Sequence, residues 1–167
     1  MQRTDLKTVE KRAPLTAFYP LMQECFARDA TFTLTISGSS MWPTLSGGRD
    51  RVTLAKPPAQ WHKNDLPLYR RANGQLVLHR IVRVNEDGTL DCCGDHQREV
   101  ERGLLPEHMV AIVVGVERKG KTFPANHRRY LRWVRLWTFL LPLRPAFFRL
   151  FRHKDPNFLN RHPTARG

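Results

Sequence analysis

Between Thr31 and Glu117 the sequence is cut into six short β-favouring runs by turn residues, and no other feature limits the fold as much. TFTLTI at 31–36 alternates Phe32, Leu34 and Ile36 with threonines, the period of a half-buried strand. Arg51–Ala55 is a second run, stopped by Lys56-Pro57-Pro58. Leu66–Arg71 and a long run over 75–84 (QLVLHRIVRV) flank Asn73-Gly74, the strongest hairpin signal in the chain. Glu86-Asp87-Gly88 turns the chain into Thr89–Cys93, and Met109–Glu117 (MVAIVVGVE) is apolar and β-branched, as a buried strand is. Ahead of these, Leu15, Phe18, Tyr19, Met22 and Phe26 recur at helical spacing and predict a helix over 14–28, with Pro14 in its first turn. The expected fold is mainly β, a coiled sheet or open barrel with an N-terminal helix and a C-terminal amphipathic helical tail. It divides into a lead at 1–30, a core at 31–123 and a basic aromatic tail at 124–167.

Charge separates the tail from the core. Residues 124–167 carry ten Lys/Arg and one acid, Asp155, whereas residues 1–123 carry 18 and 14. Within the tail, Trp133, Leu136, Trp137, Leu140 and Leu141 share a helical face, with Arg128, Arg132 and Arg135 on a neighbouring one. Such a pattern suits an anionic membrane surface over residues 128–152; packing on the core or contact with nucleic acid are the competing expectations. The N-terminus lacks the apolar stretch of a secretory signal, and no segment reaches the ~18–20 apolar residues of a membrane span. The chain is therefore expected to be cytoplasmic and peripherally membrane-associated. Cys25, Cys92 and Cys93 make no disulfide framework, and Cys92, Cys93 and His96 lack the spacing of a closed zinc site, so no metal or other cofactor is expected.

The loop Ser37-Gly38-Ser39-Ser40-Met41-Trp42-Pro43-Thr44-Leu45 sets Met and Trp among small residues directly after a strand. A nucleophilic serine needs a tight turn beside backbone N–H groups able to hold an oxyanion. Ser/Gly clusters more commonly bond their own backbone, and composition alone favours that reading. His79, likewise, is by itself an ordinary strand histidine.

Three ordered segments alter this balance. SGSSMWPTLSGGRD (37–50), Leu78-His79-Arg80-Ile81-Val82 and Cys93-Gly94-Asp95-His96 together resemble the nucleophile, general-base and Gly-Asp-Asn boxes of the signal peptidase I and LexA-like serine peptidases. The resemblance implies Ser40 as nucleophile and His79 as base, as in the histidine type of archaeal and endoplasmic-reticulum signal peptidases. It implies Asp95 and Glu101 (rather than Glu99) as the acids that orient His79, and Ser37, Gly38, Ser39 and Met41 as oxyanion or substrate-binding residues. Asp50 is expected to be structural. An imidazole suits the base position, being largely neutral at pH 7 where the adjacent Arg80 guanidinium is not. His96 stands where the family has asparagine. The expected activity is a serine endopeptidase acting on a peptide or protein precursor at the membrane surface. The alternatives are an inactive binding module of the same fold and, given the short lead, less readily a LexA-like self-cleaving regulator.

Overall fold

The computed structural model describes residues 14–140 and Leu143. A 3-10 turn at Leu15–Phe18 runs into helix α1, Tyr19–Ala27, where Pro20 occupies the first turn and costs no hydrogen bond. Met22 and Phe26 of α1 are buried, with Leu15 and Tyr19 packed beside them, while Phe18 stays exposed. The strands are β1 (Phe32–Thr35), β2 (Arg51–Ala55), β3 (Pro67–Arg70), β4 (Leu76–Leu78), β5 (Arg80–Val84), β6 (Leu90–Cys93), β7 (Glu101–Leu104), β8 (Met109–Arg118) and β9 (Lys121–Pro124). Helix α2, Arg128–Phe139, follows.

The protein is mainly β. A curled half-barrel sheet runs β1-β2-β8-β3-β4, with β9 paired to the far half of β8, and a second sheet runs β5-β6-β7. Strands β1 and β4 therefore end the main path of the curled sheet, and β9 forms a further edge beside β8. The expected hairpin forms: Arg71 N–H donates to the Gln75 carbonyl at 2.9 Å, and Gly74 sits at φ +82°, where a residue with a side chain would be strained.

Three departures from the sequence reading have physical causes. The run 75–84 is broken at His79, so β4 stays in the curled sheet and β5 enters the other. Leu68 pairs with Leu78 and Tyr69 with Val77, so continuing the register would set His79 opposite Pro67, which has no N–H for the ladder. The backbone of Ile81 is taken instead by the 64–65 segment, through Asn64 N–H to Ile81 O at 2.8 Å and Ile81 N–H to Asp65 O at 2.9 Å. Strand β7 (ERGL) shows no apolar alternation, since it is a half-exposed edge paired, among the described residues, to β6 alone. The β8–β9 hairpin turns at Lys119 and Gly120, both at positive φ, a turn without Asn or Asp to announce it.

The main core joins Met22, Ile36, Met41, Leu45, Leu54, Leu68, Val113 and Val116 to Tyr130 and Val134 of α2. A second cluster, Tyr69, Val77, Ile81, Leu90, Cys92 and Met109, lies between the sheets. Helix α2 thus packs on the domain through Tyr130, Val134 and Trp137. Trp137, grouped by spacing with a lipid-facing side, is 2% exposed and turned inward. The Tyr130–Val134–Trp137 stripe is the stronger apolar seam because both polar tips on it find buried partners. Trp133, Leu136 and Phe139 stay exposed; Leu141 and the rest of the 128–152 segment after Leu140, Leu143 apart, lie outside the described residues.

Candidate active site

The Ser37–Asp50 loop is closed at its base by Ile36 N–H to Asp50 O and Gly48 N–H to Ile36 O, at 2.9 and 2.8 Å. Asp50 is fully buried and accepts from Ser46 N–H at 2.8 Å and from Arg49 Nε at 2.6 Å. Burial pushes its carboxyl up, but the Arg49 and Ser46 hydrogen bonds outweigh that and hold it below the usual range. Asp50 is a structural clamp of the loop, as the sequence suggested. Opposite it, Gly47 lies so close to Gly38 that an added Cβ would fall 2.0 Å from the Gly38 carbonyl oxygen. Met41 is 2% exposed and belongs to the core; with Leu45 N–H on its carbonyl at 2.8 Å, it anchors the loop and also lines the cavity beside Ser40.

Ser40 itself is half-buried. Its carbonyl accepts from His96 N–H at 2.7 Å, and Gly94 approaches so near that a side chain there would meet the same oxygen at 2.8 Å. No partner is found among the described residues for the Ser40 hydroxyl or for the amides of Ser39 and Ser40. Among the described residues the loop thus leaves one hydroxyl and two N–H donors without partners, groups of the kind that can hold an oxyanion. Ser40, Ser37 and His79 line one cavity of about 260 Å³, walled by Leu34 and Thr35 of β1 and Leu76–Leu78 of β4. Gly38 and Ser39 belong to the turn behind it.

His79 sits at the break between β4 and β5 and is 2% exposed. Its Nδ1 lies 3.2 Å from Glu101 Oε1 and 3.1 Å from the Tyr69 hydroxyl, which itself donates to Glu101 at 2.7 Å. With its own proton donated to Glu101, the Tyr69 oxygen is left to accept at Nδ1; that bond and the adjacent carboxylate charge favour a proton on Nδ1 and leave the Nε2 lone pair as the basic site. Glu101 is set by the β6–β7 ladder, opposite Cys92, and is gripped by Arg71 through Nε at 2.8 Å and through Nη2. Burial raises the Glu101 carboxyl, yet Arg71 and Tyr69 more than offset it, so the group is held below the ordinary glutamate value. For His79, burial is the largest influence and lowers its pKa below 6.5, opposed by the Glu101 charge. The net effect favours the neutral imidazole.

Of the two expected acids, Glu101 is the one whose carboxylate faces His79. The hydrogen bonds found at the Asp95 carboxylate go elsewhere: Arg80 Nε at 3.0 Å, Arg80 Nη2 at 2.8 Å, and the Thr44 hydroxyl. Arg80 and Asp95 are each 1% exposed, and the Arg80 Nη1 also donates to Asn64 O at 3.0 Å. Burial alone would lower the Arg80 pKa, but the neighbouring Asp95 raises it more, so the guanidinium stays charged. Tyr69 and Arg71 were not read as site residues from the sequence. The Asn73-Gly74 hairpin held the signal: two residues apart on β3 and its end, they share a side of the strand that β4 brings beside His79. The neighbouring Cys92 thiol is pushed up to about 12, chiefly by burial, and is no rival nucleophile. The chain matches no family model, no curated protein and no solved structure.

Proposed function

We propose that the protein is a serine endopeptidase of the signal-peptidase-like type, with Ser40 as nucleophile, His79 as general base and Glu101 as the group that orients His79. One observation carries this reading: a histidine whose Nδ1 meets the Tyr69 hydroxyl and the Glu101 carboxylate shares a cavity with a serine whose hydroxyl and amide find no partner among the described residues. His79 Nε2 takes the Ser40 proton as Oγ attacks a peptide carbonyl, and the oxyanion rests on the Ser40 amide with the Ser39 amide or Ser37 hydroxyl beside it. The same imidazolium returns the proton to the leaving amine. Water, deprotonated by His79, then releases the acyl group and frees Ser40. The substrate is a peptide or protein precursor in extended form, entering between edges β1 and β4, whose unpaired backbone groups suit strand addition.

The pH dependence follows from the base. Acylation is expected to fall on acidification with an inflection below pH 6.5, the neutral His79 being the active form. Glu101→Gln removes a charge that raises the His79 pKa, so the inflection moves further down. The plateau also drops by about 10²–10⁴-fold, because the amide can donate to Nδ1 and shift the proton to Nε2. An inflection that stays put with an unchanged plateau would remove Glu101 from the mechanism. The same sign governs stability: the unfolded chain takes up the His79 proton first, so stability falls as pH drops below 6.5 and levels off at the folded-state value.

We also propose that the enzyme works at an anionic membrane surface. Among the described residues no helix is long and apolar enough to cross a membrane. The outward side of α2 carries exposed Arg128, Arg129, Arg132 and Arg135 towards its start and exposed Leu136 and Phe139 towards its end. Arg118, Lys119 and Lys121 of the β8–β9 hairpin border it beside Trp133. Each base near such a surface contributes about 1 kcal/mol. Co-sedimentation with phosphatidylserine-containing vesicles is expected at low salt, to weaken at high salt, and to weaken with Leu136→Glu/Phe139→Glu. Equal binding to neutral vesicles, or none at low salt, contradicts it.

A further inference from the structure

Residues 94–96 form a short turn against which the nucleophile loop leans at every position. Gly94 admits the Ser40 carbonyl at a distance no side chain would allow; the Asp95 carboxylate takes the Thr44 hydroxyl; His96 N–H donates to Ser40 O at 2.7 Å. The His96 ring also meets Trp42 edge-on, centroids 5.3 Å apart. What holds this turn from behind is helix α2. The Trp137 indole N–H donates to the Asp95 carbonyl at 2.8 Å, with Trp137 itself 2% exposed and stacked on Trp133. About two helical turns earlier, the Tyr130 hydroxyl lies 3.4 Å from Arg80 Nη2, on the side chain that pairs with Asp95 and follows His79 in sequence.

From these contacts we infer that α2 belongs to the catalytic framework and that Trp137 is a positioning residue: its N–H fixes the Gly94–His96 turn, and the turn fixes the backbone of Ser40. Its consequence for the reaction rests on the peptidase reading; its structural consequence does not. A buried indole bonded to a carbonyl in the turn contributes where a purely apolar ring would not, because such a ring keeps the packing and loses the hydrogen bond that ties helix to turn.

Trp137→Phe in the full chain tests this, since it keeps a ring in the seam and deletes the donor. The first readout needs no activity: amide hydrogen exchange of His96, followed by NMR relative to Leu90 and Cys92 in β6. His96 protection is expected to fall about 3–10-fold more than that of the β6 amides. Equal losses at all three sites mean only global destabilisation and overturn the inference, as does unchanged protection. The second readout is inactivation by a serine-directed fluorophosphonate, where the maximal rate should drop about 3–10-fold with the half-saturating concentration unchanged. A change confined to the half-saturating concentration contradicts the positioning role. Tyr130→Phe, which keeps the Trp137 bond, should leave His96 protection near that of the unsubstituted protein; a loss as large as that of Trp137→Phe would assign the effect to helix docking in general. If Ser40 takes no probe in the unsubstituted chain, the peptidase reading fails and the exchange comparison alone decides this one.

Discussion

Ser40→Ala is expected to abolish covalent labelling by a fluorophosphonate or a penem, and His79→Ala to slow it by about 10²–10⁴-fold, the contribution of a positioned general base. Ser40→Ala should keep its fold, because the hydroxyl of this half-buried residue bonds nothing among the described residues. A substitution of that kind changes stability by no more than about 0.5 kcal/mol. Mass spectrometry of the labelled protein should find the adduct on the peptide holding Ser40. Persistent labelling of Ser40→Ala would move the nucleophile to Ser37 or Ser39, which flank the same turn. Absence of labelling in the unsubstituted chain, with the fold intact, would leave a binding module built on a peptidase-like site.

The largest stability effect is expected at Asp95. Its partner Arg80 is as buried as it is, and the guanidinium keeps its charge at every accessible pH. Removing one member of a buried ion pair costs about 3–5 kcal/mol, since the remaining charge has lost its water and is left without a counter-charge. Against a total stability of about 5–15 kcal/mol that is a severe loss. For a chain of this length it lowers the melting temperature by roughly 6–20 °C. Asp95→Ala should therefore melt far below the unsubstituted protein. Arg80→Met/Asp95→Leu should recover much of the difference, because no charge is then stranded. The result also separates the two carboxylates. An Asp95→Ala variant that melted normally but lost labelling would make Asp95, not Glu101, the group that orients His79.

Much of the architecture was legible in local sequence because it is set by local chemistry. Alternation at Phe32–Thr35, the proline stop after Ala55 and the Asn73-Gly74 turn each act within a few residues. The break at His79 was not legible in that way. Its cause is Pro67, twelve residues back in sequence and visible only once the hairpin register is known. Glu101 could be chosen over Glu99 by position, yet the reason it faces His79 is a ladder between β6 and a polar edge strand with no hydrophobic signature. Trp137 shows the limit from the other side. Helical periodicity finds an apolar face but not which of two overlapping faces turns inward. The buried carbonyl of Asp95, some forty residues away, decides that.

The central claim is that the Ser40 hydroxyl and the His79 imidazole act on each other. A crystal structure of the protein carrying a boronic acid or phosphonate on Ser40 measures this most directly, through the distance from Ser40 Oγ to His79 Nε2. The expected value is about 2.6–3.2 Å, with Nδ1 still on Glu101. An adduct on Ser40 with the imidazole turned away and Nε2 bonded elsewhere in the protein would contradict the mechanism.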